Sequence, residues 1–155
     1  MRYRYWDSCA FLGWLKEEAD KVDECHNGIR LAERGELIIV TSALTLAEVL
    51  HVKGKGPIPM EDRDKVRRFF ENDYITLYDV DRHIAERAQE VVWQNGVKPK
   101  DAIHVATALS LADGRGVEQL DTFDNYLIGQ SGAVGGNPPL QIGRPNLPGE
   151  LFPDA

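Results

Sequence analysis

Cysteine is scarce in this chain: only Cys9 and Cys25 occur among 155 residues. They have neither metal-ligand spacing nor cysteine partners elsewhere, and no Cys/His cluster favours zinc. They read as reduced thiols of a cytoplasmic protein, with a single disulfide as the alternative. Long apolar runs are missing too, and nothing approaches the roughly 18 residues of a membrane span. Tyr5–Leu15 is fairly apolar, but Asp7 interrupts it and no small-residue cleavage site follows, which argues against a secretory signal. Positive charge is in deficit, 18 basic residues against 25 acidic for a net charge of −7. That excludes a protein coating nucleic acid by bulk charge, which needs Lys and Arg to neutralise phosphates. It leaves room for an enzyme that grips a short piece of RNA with a local basic patch.

What is present is the pattern of one domain with alternating elements. Met1–Trp6 is aromatic-rich and strand-like, and Leu37–Val40 is a compact buried-strand signal. Ile75–Tyr78 and Val117–Leu120 read as two further strands. Helical spacing lies between them: Ala10, Phe11, Trp14 and Leu15, capped by Asp7 or Ser8; then Val22, Cys25, Ile29 and Ala32, stopped by Gly35. The run from Ala43 to Val52 is apolar almost all round and predicts a buried helix. The breaker Lys53–Pro59 follows, then a charged helix near Glu61–Glu71. Asp81 starts a helix ended by Gly96, and Pro99 opens another to about Ala112. From Gly129 to Ala155 the chain holds 6 of its 14 glycines and 5 of its 8 prolines, so an irregular tail with one short edge strand around Leu140–Ile142 is expected. Strands alternating with helices predict a three-layer α/β/α sandwich with a mostly parallel central sheet.

Ligands of open α/β sheets bind beyond the carboxyl ends of the strands. Four acidic residues fall just past a strand or on a buried helix: Asp7, Glu48, Asp101 and Asp124. Each has a plainer reading. Asp7 can cap a helix, Glu48 can reach water or pair with Lys53 or an arginine, Asp101 suits a helix N-terminus, and Asp124 can be a second cap beside Thr122. Asp121 is either a fifth inward carboxylate or the partner of an arginine, and His104 reads as packing or as support for a neighbouring ligand. Gathered at one sheet edge, like charges would raise one another's pKa. Hard divalent cations with oxygen ligands relieve this, and Mg²⁺ or Mn²⁺ suits such a site.

Tyr5-Trp6-Asp7-Ser8, Ala47-Glu48-Val49, the segment Lys100–Ala108 (KDAIHVATA) and Leu120-Asp121-Thr122-Phe123-Asp124 together resemble the PIN-domain ribonucleases. The resemblance, over roughly residues 1–128, includes the VapC-type toxins of toxin–antitoxin pairs. It implies a nuclease domain over 1–128 and a Gly/Pro-rich tail over 129–155. It also implies Mg²⁺- or Mn²⁺-dependent endonuclease activity on RNA, leaving 5′-phosphate and 3′-hydroxyl ends. Asp7, Glu48, Asp101 and Asp124 match the family's acidic quartet, and Ser8 and Thr122 its supporting hydroxyls. Lys53 and Lys55 in the glycine-rich loop, with Lys98 and Lys100 beside the site, would grip substrate. An antitoxin that places a basic side chain among the carboxylates is implied, as is a homodimer, with helix faces near Phe69 and Phe70 as candidates. Two other readings remain: a non-catalytic PIN-like protein-binding domain, and a haloacid-dehalogenase-like phosphatase using Asp7 with Thr41 or Ser42. The latter wants a second aspartate where this chain has Cys9.

Overall fold

A computed structural model describes residues 1–52 and 54–147, without the side chains of 112–115. In chain order the elements are β1 (Arg2–Trp6), α1 (Ser8–Leu15), α2 (Val22–Glu33), β2 (Leu37–Ser42), α3 (Leu44–Glu48), β3 (His51–Val52) and β4 (Gly56–Pro57). A 3₁₀ turn at Met60–Asp62 leads into α4 (Arg63–Phe70). Then come β5 (Ile75–Tyr78), α5 (Arg82–Asn95), α6 (Pro99–Arg115), β6 (Val117–Asp121), α7 (Asn125–Ile128) and β7 (Ile142–Gly143). Five strands form one parallel sheet in the order β5-β2-β1-β6-β7. β1 lies at its centre, where the order reverses, and the carboxyl ends of β1 and β6 flank the crevice that such a reversal opens.

Side-chain alternation along the strands sorts two cores onto the two faces. Tyr5, Val40 and Leu120 pack with Ile84, Val91, Val105 and Leu109 of α5 and α6. Trp6, Leu37 and Ile39 face the other way, onto Phe11, Ile29 and Phe70 of α1, α2 and α4. The helices start and stop where local chemistry allows. Asp81 caps α5, accepting from the Ile84 N–H at 2.9 Å. Gly96 closes that helix at φ 65°, a left-handed position that costs glycine little.

The predicted helix from Ala43 to Val52 is corrected. α3 ends at Glu48, and the chain turns into a two-stranded antiparallel hairpin of β3 and β4. The Leu50 carbonyl accepts from the Ile58 N–H at 2.8 Å, a bond that a continuing helix would forbid. Gly54 and Gly56, at φ 80° and 76°, make the turn. Val49 reaches the core while Leu46 and Leu50 stay exposed, so the all-round apolar pattern came from a change of element rather than from a buried helix. Phe70 is buried against Phe11, with ring centroids 4.9 Å apart, and Phe69 is only half-buried. After Gly129 the chain adds β7 beside β6, with Leu120 opposite Ile142. No described helix is long and apolar enough to cross a membrane.

Candidate functional site

Asp7 is both a cap and a site residue. Its extended backbone ends β1, and its Oδ1 accepts from the Ala10 N–H at 3.0 Å to start α1. The cap is not its only partner, since the Thr122 hydroxyl also lies in hydrogen-bond reach of the carboxylate. The Asp7 N–H donates to the Asp121 carbonyl at 3.2 Å, which ties the position to the end of β6. Burial pushes the Asp7 carboxyl up to about 6, opposed by the His104 ring, the Thr122 hydroxyl and the Ala10 N–H, while Asp101 pushes it further. Ser8 is the half-buried first residue of α1.

Asp101 lies in the first turn of α6 and is half-buried. Burial raises its pKa, the neighbouring Asp124 and Glu48 raise it further, and His104 and Lys98 act against them. Asp124 follows β6, where the Thr122 Oγ1 accepts from its N–H at 3.1 Å. Its own Oδ1 caps α7, accepting from Tyr126 and Leu127 at 2.8 and 3.2 Å. Glu48, the last residue of α3, is 17% exposed, and its Oε1 lies 2.6 Å from His104 Nε2. Asp101 thus feels Glu48 and Asp124, and Asp7 feels Asp101. Among the described residues, however, no three His, Cys, Asp or Glu side chains form a ready-made metal cage. Several of their oxygens are occupied by caps and by His104.

Cys9 shows how this cluster meets the surface. Burial and the fields of Asp7, Asp101 and Asp124 push its thiol up to about 12, so it is no nucleophile at neutral pH. Cys9 also lines an open groove of about 570 Å³ together with Lys16, Lys21 and Lys55. Of the lysines singled out from sequence, Lys55 is exposed in the hairpin turn and borders this groove. Lys98 and Lys100 are exposed at the start of α6, and Lys53 lies outside the described residues. Lys16 and Lys21 were not legible in the sequence. They lie at and beyond the end of α1, and only the fold turns them toward the hairpin.

Asp121 is not a fifth site carboxylate. It is buried and takes Arg4 Nη2 at 2.7 Å, Gln119 Nε2 at 2.9 Å and Trp6 Nε1 at 2.9 Å. The two cysteines are free thiols.

A model described as the PIN domain matches residues 4–128. No curated protein gives a match. Among solved structures, the fold resembles a toxin-antitoxin complex from Klebsiella pneumoniae at a TM-score of 0.56 and 18% identity, covering 79% of this chain and 87% of that one. It also resembles VapC20 of Mycobacterium tuberculosis, a sarcin-ricin loop cleaving toxin, at a TM-score of 0.59 and 14% identity, covering 81% of this chain and 93% of that one. At these identities the likeness is one of fold. The family match runs from within β1 to the end of α7 and so takes in every carboxylate of the crevice; the chain belongs to the PIN domain family.

Proposed function

We propose that this protein is a divalent-cation-dependent endoribonuclease and the toxin of a toxin–antitoxin pair. One observation supports the reading: Asp101 lies within electrostatic reach of Asp7, Glu48 and Asp124, and Cys9, close to the same carboxylates, lines a groove with Lys16, Lys21, Lys55 and Glu18. Family membership and a fold shared with proteins described as toxins support it.

The donor set suits Mg²⁺ or Mn²⁺. All the donors are carboxylate oxygens, and their mutual repulsion is what a hard dication relieves. Mg²⁺ keeps several waters and takes the rest of its shell from one or two carboxylates and substrate phosphates, so it needs no closed protein cage. Asp7, Asp101 and Asp124 would hold the ion, with Glu48 as a further ligand through water. When bound, the cation supplies Lewis acidity to a water and to the scissile phosphate. The chain's own residues do the rest. Thr122 holds the Asp124 backbone, the caps of α1 and α7 set the carboxylates, and Lys55, Lys16 and Lys21 guide phosphates along the groove. Lys98 and Lys100 would meet the strand on the other side of Asp101.

The nuclease unit is assigned to 1–128; the segment that follows adds β7 beside β6 and places Val134, Leu140, Ile142 and Leu147 in the two cores. A cytoplasmic location, an antitoxin covering the acidic crevice with a basic side chain, and a homodimer belong to the same proposal. Structured RNAs incubated with Mn²⁺, with Mg²⁺ and with EDTA test it, alongside Asp101→Asn as the control for contaminants. Cation-dependent cleavage lost in the variant is expected. A protein that binds the cation and cleaves no RNA would instead favour the non-catalytic reading.

Two further outcomes are expected. Asp7 must lose its proton to bind a cation, so Mn²⁺ affinity and cleavage should rise with pH through about 6 and level off above it. A flat profile from pH 5 to 8 would show that Asp7 is not a ligand. Lys55→Ala should weaken RNA binding across sequences and lower the salt dependence of binding by about one in log–log slope. An unchanged slope would remove Lys55 from the phosphate path.

A further inference from the structure

Glu48 is part-buried, and the groups that set its orientation come from α6 and β1. His104 is fully enclosed, 1% exposed, and both of its ring nitrogens are engaged. Nε2 is 2.6 Å from Glu48 Oε1, and Nδ1 is 2.7 Å from the Tyr5 hydroxyl. Tyr5 is itself buried near the carboxyl end of β1, the central strand. An ionised carboxylate only accepts hydrogen bonds, so the Glu48 contact requires a proton on Nε2. The Tyr5 hydroxyl has one proton to give. Two nearby hydroxyls have already committed theirs: Thr41 donates to the Trp6 carbonyl at 2.7 Å, and Thr107 to the Ile103 carbonyl at 2.7 Å. With the single proton of a neutral imidazole on Nε2, Nδ1 presents a lone pair, and the Tyr5 hydroxyl at 2.7 Å is the donor placed to meet it.

We propose that Tyr5 and His104 are positioning residues for Glu48: Tyr5 donates to His104 Nδ1, fixing the ring with its proton on Nε2, and His104 holds Glu48 Oε1 so that the second carboxylate oxygen faces Asp101. This rests on the nuclease reading above for its consequence in catalysis, though not for its chemistry. The arrangement explains why a polar ring is fully buried on α6, one turn before the buried Thr107. It also supplies Glu48 with a partner drawn from the core rather than from a surface lysine.

Asparagine and glutamine at position 104 separate this role from packing. A glutamine amide reaches the place of Nε2 and can still donate to Glu48. An asparagine amide reaches only the place of Nδ1 and strands it. His104→Asn should lower Mn²⁺ affinity about 10- to 100-fold, the scale found when a group holding a metal ligand is removed, measured by Mn²⁺ electron paramagnetic resonance. His104→Gln should stay close to the parent, and kcat should fall in the asparagine variant with KM for RNA unchanged. In the metal-free protein, two-bond ¹H–¹⁵N correlation of the ring should show a bare Nδ1 and a protonated Nε2. In Tyr5→Phe the Glu48 contact alone holds the proton on Nε2, so a minor Nδ1-protonated fraction should appear. A proton on Nδ1 in the parent, or equal Mn²⁺ affinities in the asparagine and glutamine variants, would overturn the proposal. If the parent cleaves no RNA, the nuclease reading fails while the spectroscopic and Mn²⁺ measurements still decide this one.

Discussion

Asp7→Asn is expected to abolish RNA cleavage and, in the same molecule, to stabilise the fold. Both effects come from burial. Asp7 is 2% exposed, and its carboxyl is pushed from 3.8 to about 6. A carboxyl whose folded pKa is raised binds its proton more tightly in the folded state. The parent therefore loses stability as pH rises from about 4 to about 6, and above that range the full cost of a buried negative charge remains. A shift of this size corresponds to about 3 kcal/mol, an upper figure because the site is close to solvent. Asparagine caps a helix about as well as aspartate, so α1 keeps its start. Urea unfolding in EDTA at about pH 8 should find the variant more stable than the parent, and the gap should close near pH 4. Added Mn²⁺ should stabilise the parent by mass action and leave the variant unmoved. Cleavage should fall by at least about a hundredfold, the scale of losing one group that stabilises charge in a transition state. A variant no more stable than the parent at pH 8 would show that Asp7 carries no such cost.

Arg4→Met should give the largest loss of stability. The Arg4 and Asp121 side chains are 7% and 2% exposed, and the guanidinium takes both carboxylate oxygens, through Nε at 3.1 and 3.1 Å and through Nη2 at 2.7 Å. Removing one member of a buried pair strands the other and costs about 3–5 kcal/mol. Burial already pushes the Asp121 carboxyl up to about 7 against the pull of Arg4, so without Arg4 it would take up a proton and recover part of that loss. Methionine fills most of the space and keeps the test on charge. The double variant Arg4→Met/Asp121→Asn should be more stable than Arg4→Met alone, because asparagine can still accept from the Trp6 indole without a buried charge. A double variant as unstable as the single one would place the loss in packing. The pair bridges β1 and β6, the strands that deliver Asp7 and Asp124, so cleavage should weaken with stability.

Local chemistry was readable in advance because it acts over three or four residues. Asp81, Gly96 and Pro99 mark the ends of α5 and α6 through caps and a fixed φ, and all three act as expected. The strands were legible because short apolar runs between breakers have few other uses. Glu48 was legible as an anomaly, an acidic residue among apolar neighbours. The element that carries it was misread, since an apolar helix and an apolar helix followed by a hairpin look alike until backbone pairing, here Leu50 with Ile58, decides between them.

The sequence by itself thus determined the alternation of strands and helices, the parallel sheet that follows from it, and the presence of acidic residues at strand ends. Tertiary structure alone decided who partners whom. Asp121 had two open roles, and the choice fell to Arg4, on the neighbouring strand and 117 positions away. Glu48 had several candidate cations and took instead a histidine 56 positions away, itself held by a tyrosine 99 positions from it. Charge pairing depends on distance and burial, and neither is encoded locally. Lys16 and Lys21 joined Lys55 along one groove for the same reason: a folded surface collects charges that the chain keeps apart.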